Sequence, residues 1–64
     1  MSPYVEALLL ELSRDLPLMA QSMDRAEFRE AVMFRCSEIL TLAPQVDVPS
    51  LSVEMERLRA IYHW

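Results

Sequence analysis

The sequence of 64 residues contains no glycine, and this absence restricts the folds open to the chain more than any other feature. Enzymes need loops that bring the backbone close to a ligand, and glycine is the usual residue in such loops. Hydrophobic residues make up 53% of the chain, compared with about 45–50% in average proteins even when glycine is counted. The composition therefore predicts an all-α protein with more apolar surface than one short chain can bury.

The length limits the chain to one small helical domain, which we assign to residues 1–64. A core of this size supplies only about 3–5 kcal/mol unless a disulfide, a metal ion or association adds to it. Cys36 is the only cysteine and His63 the only histidine, so an internal disulfide is excluded and a zinc site is not expected. We expect no cofactor, and association with another chain remains as the source of extra stability.

The formal net charge is −4, from ten acidic residues and six arginines, with no lysine. A protein that binds nucleic acid needs a basic face to neutralise phosphates, so no nucleic-acid partner is expected. No membrane association is expected, because no apolar stretch approaches 18 residues and the polar helix faces are acidic. Glu6 and Glu11 interrupt the first apolar segment, which argues against a signal peptide. The lone cysteine fits a cytoplasmic protein, and the lysine-free composition suggests a bacterial or phage origin.

The first predicted helix spans residues 3–22. Ser2 can act as its N-cap, and Pro3 suits the first helical position, where a missing N–H costs nothing. Pro17 predicts a kink or a break near residues 14–17, and the unbroken phase of the apolar stripe favours a kinked continuous helix. At 100° per residue this stripe contains Val5, Leu8, Leu9, Leu12, Leu16, Met19, Ala20 and Met23.

The second predicted helix, residues 25–42, has the clearest start signal in the chain. Asp24 and Glu27 form a capping box, and Met23 with Phe28 forms a hydrophobic staple. The short connection before this helix predicts an antiparallel hairpin with the first helix. The apolar arc contains Phe28, Val32, Cys36, Ile39, Leu40 and Ala43, with Met33 and Leu42 at its edges.

Residues 44–49 contain two prolines and alternating valines, which predict an extended linker. Ser50 is then expected to cap a third helix over residues 51–63. Its apolar stripe contains Leu51, Met55, Leu58, Ile61 and Tyr62. We therefore predict an antiparallel helical hairpin with a third short helix packed across it.

No spacing of residues in the chain is typical of a catalytic site, and the protein is not expected to be an enzyme. Cys36 lies between apolar neighbours and is interpreted as a small core residue with an inert thiol. His63 is next to the last residue of the sequence and is interpreted as a solvated surface side chain.

Several large side chains do not fit the buried stripes and are candidates for binding a partner. Phe34 and Leu10 project onto polar helix faces, although Phe34 is instead core if the third helix covers it. Arg29 projects into the apolar arc, where it either extends to solvent or faces a partner carboxylate. Trp64 is expected at the exposed end of the third helix. The predicted partner-binding residues are Leu10, Arg29, Met33, Phe34, Leu40 and Trp64.

These features favour a protein-binding module without enzymatic activity, such as a small adaptor, a co-chaperone or an inhibitor or anti-activator. Such a module would bury an apolar helix face against its partner. The alternative is a self-associating structural unit, in which two hairpins form a homodimeric helical bundle.

Overall fold

Three α-helices account for the fold, which a computed structural model describes over all 64 residues. The helices are α1 at Pro3–Ser22, α2 at Arg25–Leu42 and α3 at Val48–Tyr62, with a short 3-10 turn at Gln45–Asp47. Helices α1 and α2 pack closely as a hairpin, and α3 contacts both of them. The predicted all-α hairpin with a third docked helix is therefore confirmed.

Helix α1 begins as its sequence indicates and continues through its internal proline. The backbone N–H of Val5 donates to the Ser2 side chain at 3.4 Å, and Pro3 occupies the first helical position. Pro17 lies inside the helix without ending it. Proline has no backbone N–H, so one hydrogen bond of the helix is missing at this position. The Pro17 ring is exposed, and the helix tolerates this loss on its solvent side.

The capping box at the start of α2 is present in both directions. The Glu27 N–H donates to Oδ1 of Asp24 at 2.9 Å, and the Asp24 N–H donates to Oε1 of Glu27 at 3.2 Å. Both partners of the staple, Met23 and Phe28, belong to the hydrophobic core or pack against it. This local start signal was predicted correctly because it depends on residues only three and five positions apart.

The predicted linker over residues 44–49 and the Ser50 cap are wrong. The chain forms a 3-10 turn after Pro44, and α3 already starts at Val48, so Ser50 lies inside the helix. Pro49 falls in the first turn of α3, where a residue without an N–H costs nothing. Two prolines at this spacing are therefore compatible with a helix start as well as with extended backbone.

A polar contact at this junction was not predicted. Asp47 is buried, and its Oδ2 accepts a hydrogen bond of 3.0 Å from the backbone N–H of Ser2. Its Oδ1 lies 4.0 Å from the α-amino group of Met1. At the opposite end, the rings of Phe28 and Tyr62 pack with centroids 6.4 Å apart. The start of α3 thus lies beside the start of α1, and its end lies beside the start of α2, so the three helices run up, down and up.

The core receives side chains from all three helices. Most of the predicted stripe residues are buried or half-buried, but Ile61 is an exception, since it is 65% exposed. At 100° per residue Ile61 lies about 80° from Leu51, outside the narrow face that α3 turns toward the hairpin. The buried hydrophobic cluster consists of Val5, Leu12, Leu16, Phe28, Val32, Ile39, Leu51 and Met55.

Candidate protein-binding surface

Phe34 lies on the outer side of α2 and is 65% exposed, whereas Phe28, on the core side of the same helix, is only 6% exposed. The two residues are six positions apart, which places their side chains about 120° from each other around the helix, so the two rings point in very different directions. The alternative in which α3 covers Phe34 is therefore excluded. Its position at the surface was predicted correctly, and its role in binding remains a prediction.

An open hollow on α2 lies beside Phe34 and is bordered by Leu42 and Glu38. Leu42 is 54% exposed, so two large apolar side chains reach solvent about two helical turns from each other. Ser37 and Thr41 also border this hollow, and the Thr41 hydroxyl donates to the Ser37 carbonyl at 2.9 Å. The hollow is therefore lined both by large apolar side chains and by hydrogen-bonding groups.

A second hollow follows the groove between α1 and α2. Glu38 and Leu42 border it from α2, while Leu8 and Glu11 border it from α1. Arg35 also lines this groove, and its guanidinium forms a 3.2 Å ion pair with Asp15 across the two helices. Since Glu38 and Leu42 belong to both hollows, the apolar area near Phe34 continues into the groove.

Glu11 also borders a third hollow, which lies on α1 beside Leu10. Leu10 is 59% exposed and is the member of this hollow farthest from α2 in the helical projection. The three hollows therefore form one continuous surface across the hairpin, and no residue of α3 borders any of them. We call this the hairpin surface and define it by Phe34, Glu38, Leu42, Leu8, Glu11 and Leu10.

The hairpin surface joins two of the predicted site residues, Leu10 and Phe34. Sequence reasoning assigned Leu8 and Leu42 to the apolar stripes and missed their part in this surface. Leu42 was placed at the edge of the arc of α2, and this edge position was the available signal that it is only partly covered. How the two helices pair decides which edge residues meet in the groove.

Three other predicted residues lie on a different flank of α2. Arg29, Met33 and Leu40 are exposed, and the projection places Met33 and Leu40 about 100° or more from Phe34. Arg29 is exposed and forms no ion pair within the protein, which is compatible with both of its interpretations. This flank is separate from the hairpin surface.

The prediction that Trp64 lies at the exposed end of the third helix is wrong. Helix α3 ends at Tyr62, and His63 adopts a left-handed conformation with φ 59° and ψ 50°. The chain therefore leaves the helix axis, and Trp64 is half-buried against the core. The Arg59 side chain donates to the Trp64 carbonyl at 2.9 Å, and Arg25 donates to the His63 carbonyl at 3.0 Å.

The thiol of Cys36 is half-buried beside the core. Burial raises its pKa above the ordinary value, and the nearby Arg35 opposes this effect in part. His63 is exposed. No three side chains of histidine, cysteine, aspartate or glutamate lie close enough together to hold a metal ion. None of the helices is long and apolar enough to cross a membrane.

Comparison with known proteins gives no relative from which a function could be transferred. No protein-family model matches the chain, and neither the curated proteins nor the solved structures contain a match. The chemistry of the hairpin surface therefore provides the basis for a functional proposal.

Proposed function

We propose that this chain is a protein-binding module without enzymatic activity, of the adaptor, co-chaperone or inhibitor type. The observation that carries the proposal is the continuity of the hairpin surface from Phe34 on α2 to Leu10 on α1. Aromatic and aliphatic anchors surrounded by polar groups are the usual centre of a protein interface. A half-buried thiol that is the only cysteine suits a reducing compartment such as the bacterial cytoplasm.

The shape of the surface supports a macromolecular partner over a small ligand. Its hollows are open to solvent, whereas small-molecule sites enclose most of the ligand surface. A groove between two antiparallel helices is complementary to the ridge of side chains on a third helix. The partner would then cover Phe34 and Leu42. Each Å² of apolar surface removed from water in this way favours binding by about 25 cal/mol.

Site-specific photo-crosslinking in the native cell tests the proposal. Phe34 is replaced by benzoylphenylalanine, which keeps an aromatic ring at an exposed position. The matched control places the same photoreactive residue at Ile61 on α3, since Ile61 is as exposed as Phe34 but lies outside the hairpin surface. We expect position 34, and not position 61, to give a discrete crosslink to a protein other than a second copy of this chain. Equal or absent crosslinking from both positions would contradict the proposed function.

A further inference from the structure

The hairpin surface carries negative charge that the chain itself does not neutralise. Glu11 and Glu38 both border the groove between α1 and α2, and neither forms an ion pair within the protein. Glu6 lies one helical turn before Leu10 and also forms no ion pair, but the hollow that it borders includes Glu54 of α3 and lies outside the hairpin surface. Two free carboxylates therefore belong to the hairpin surface, and a third lies at its margin.

Positive charge is scarcer at the same place. The guanidinium of Arg35 is engaged by Asp15 at 3.2 Å, so it is already compensated. Arg14 borders the hollow beside Leu10 and is the one guanidinium there without an ion pair. The free charges at the hairpin surface are thus predominantly negative, in keeping with the net charge of −4 for the whole chain.

From this charge we infer that the hairpin surface binds an amphipathic helix of another protein whose apolar side chains are flanked by arginine or lysine. The inference rests on the proposed function and specifies the chemistry of the partner. Leucine-like side chains would fill the hollows beside Leu42 and Leu10, and the flanking cations would pair with Glu11 and Glu38.

A second copy of this chain is a poorer occupant of the same surface. A two-fold symmetric dimer brings the same patch of both copies together. Two free carboxylates, Glu11 and Glu38, would then face the same two of the other copy, with only Arg14 from each copy to offset them. Like charges brought together in an interface disfavour association, whereas a basic helix is attracted from a distance.

Two model peptides test the inference directly. Both are helical, about 18 residues long so that they hold their helix, with identical leucines at i, i+3, i+4 and i+7 spacing. One carries lysine on the flanks of this stripe and the other carries glutamate. Fluorescence anisotropy with the full chain is expected to show binding of the lysine peptide only, and the affinity should fall as salt is added.

Variants of the protein locate the charges that matter. Glu11→Gln and Glu38→Gln should each weaken binding of the lysine peptide by about twofold to fivefold, the range for exposed ion pairs. Glu56→Gln removes the same charge from α3, outside the hairpin surface, and should leave the affinity unchanged. Phe34→Ala should weaken binding of the peptide through loss of an apolar anchor.

The results that overturn the inference differ from those that overturn the proposed function. Equal binding of both peptides, no binding of the lysine peptide, or equal effects of Glu38→Gln and Glu56→Gln would each show that acidic charge does not select the partner. A dimer in sedimentation that dissociates on Phe34→Ala would show that a second copy occupies the surface. If only the charge selection fails, specific crosslinking of position 34 to a different protein still supports the proposed function, whereas a crosslink between two copies supports the homodimeric alternative.

Discussion

The backbone N–H of Ser2 donates a 3.0 Å hydrogen bond to Oδ2 of Asp47, although 45 positions separate the two residues. Ser2 is the N-cap of α1, and Asp47 immediately precedes α3. One buried carboxylate therefore joins the starts of the two parallel helices, and no buried side-chain polar atom in the protein lacks a partner. The hydrogen bond holds α3 in register along the hairpin.

Replacement of Asp47 by alanine is expected to lower the free energy of unfolding by about 1 kcal/mol, because the partly buried N–H of Ser2 loses its acceptor. Asp47→Asn should cost less, because its amide oxygen can still accept from Ser2. Urea denaturation measures both effects. Glu30→Ala, on the exposed side of α2, is the control and should change stability by no more than about 0.5 kcal/mol. Equal stability of Asp47→Ala and Glu30→Ala would show that the hydrogen bond contributes nothing.

The junction around Asp47 also shows how far the sequence could predict the fold. The starts of α1 and α2 were predictable, because Ser2, Asp24 and Glu27 act on backbone groups three residues away. The start of α3 was not, since Pro44 and Pro49 fit either an extended segment or a first helical turn. In the folded protein, the helical start at Val48 comes with the hydrogen bond between Asp47 and Ser2, and no local sequence pattern predicts a contact between residues so far apart.

The candidate site was also only partly predictable from the sequence. The outward direction of Leu10 and Phe34 follows from helix periodicity alone. Their connection through the groove depends on how α1 and α2 pair, and Trp64 could not be placed because its direction depends on one left-handed residue, His63. Periodicity thus identified exposed residues, and tertiary packing decided which of them share a surface.

The two phenylalanines of α2 should respond in opposite ways to truncation. Phe28→Ala is expected to cost roughly 3–5 kcal/mol of stability, because it leaves a cavity in the core beside Tyr62. Phe34→Ala should change stability by no more than about 0.5 kcal/mol, since its ring is exposed. Chemical denaturation gives both values. Comparable losses for the two variants would mean that Phe34 also stabilises the folded chain.

Acid should weaken the start of α2 through Asp24. The hydrogen bonds from Glu27 lower the pKa of this carboxyl, chiefly the bond from its backbone N–H. A carboxyl with a lowered pKa in the folded state stabilises the fold above its unfolded pKa. That contribution is lost as the pH falls through the folded pKa. Asp24→Asn retains a capping oxygen without titrating. Between neutral pH and pH 3 the melting temperature should therefore fall less for this variant than for the natural chain, and identical falls would exclude Asp24 as a cause.

The thiol of Cys36 should react slowly while the protein is folded. Burial raises its pKa, and the thiolate is the reactive form, so labelling at neutral pH should be much faster in denaturant. The raised pKa also predicts that the stability linked to this group is fully present below the unfolded pKa of about 8.5 and is lost as the pH rises through the folded pKa. Cys36→Ala should lack this alkaline loss. Rapid labelling of the native protein would contradict the burial of the thiol.

Glycine at position 63 should stabilise the protein. His63 is the one residue with a positive φ. Because the fold needs a left-handed backbone at a single position only, a chain without glycine can adopt it. A left-handed conformation costs a residue with a Cβ atom roughly 1–2 kcal/mol, and the greater flexibility of unfolded glycine offsets part of the gain. We expect His63→Gly to raise the free energy of unfolding by about 0.5–1 kcal/mol, and His63→Ala, which keeps the Cβ atom, to give no gain. The fluorescence of Trp64, which packs on the core directly after this position, reports unfolding of all three proteins. If glycine and alanine had the same effect, the left-handed backbone at the end of α3 would not be a source of strain.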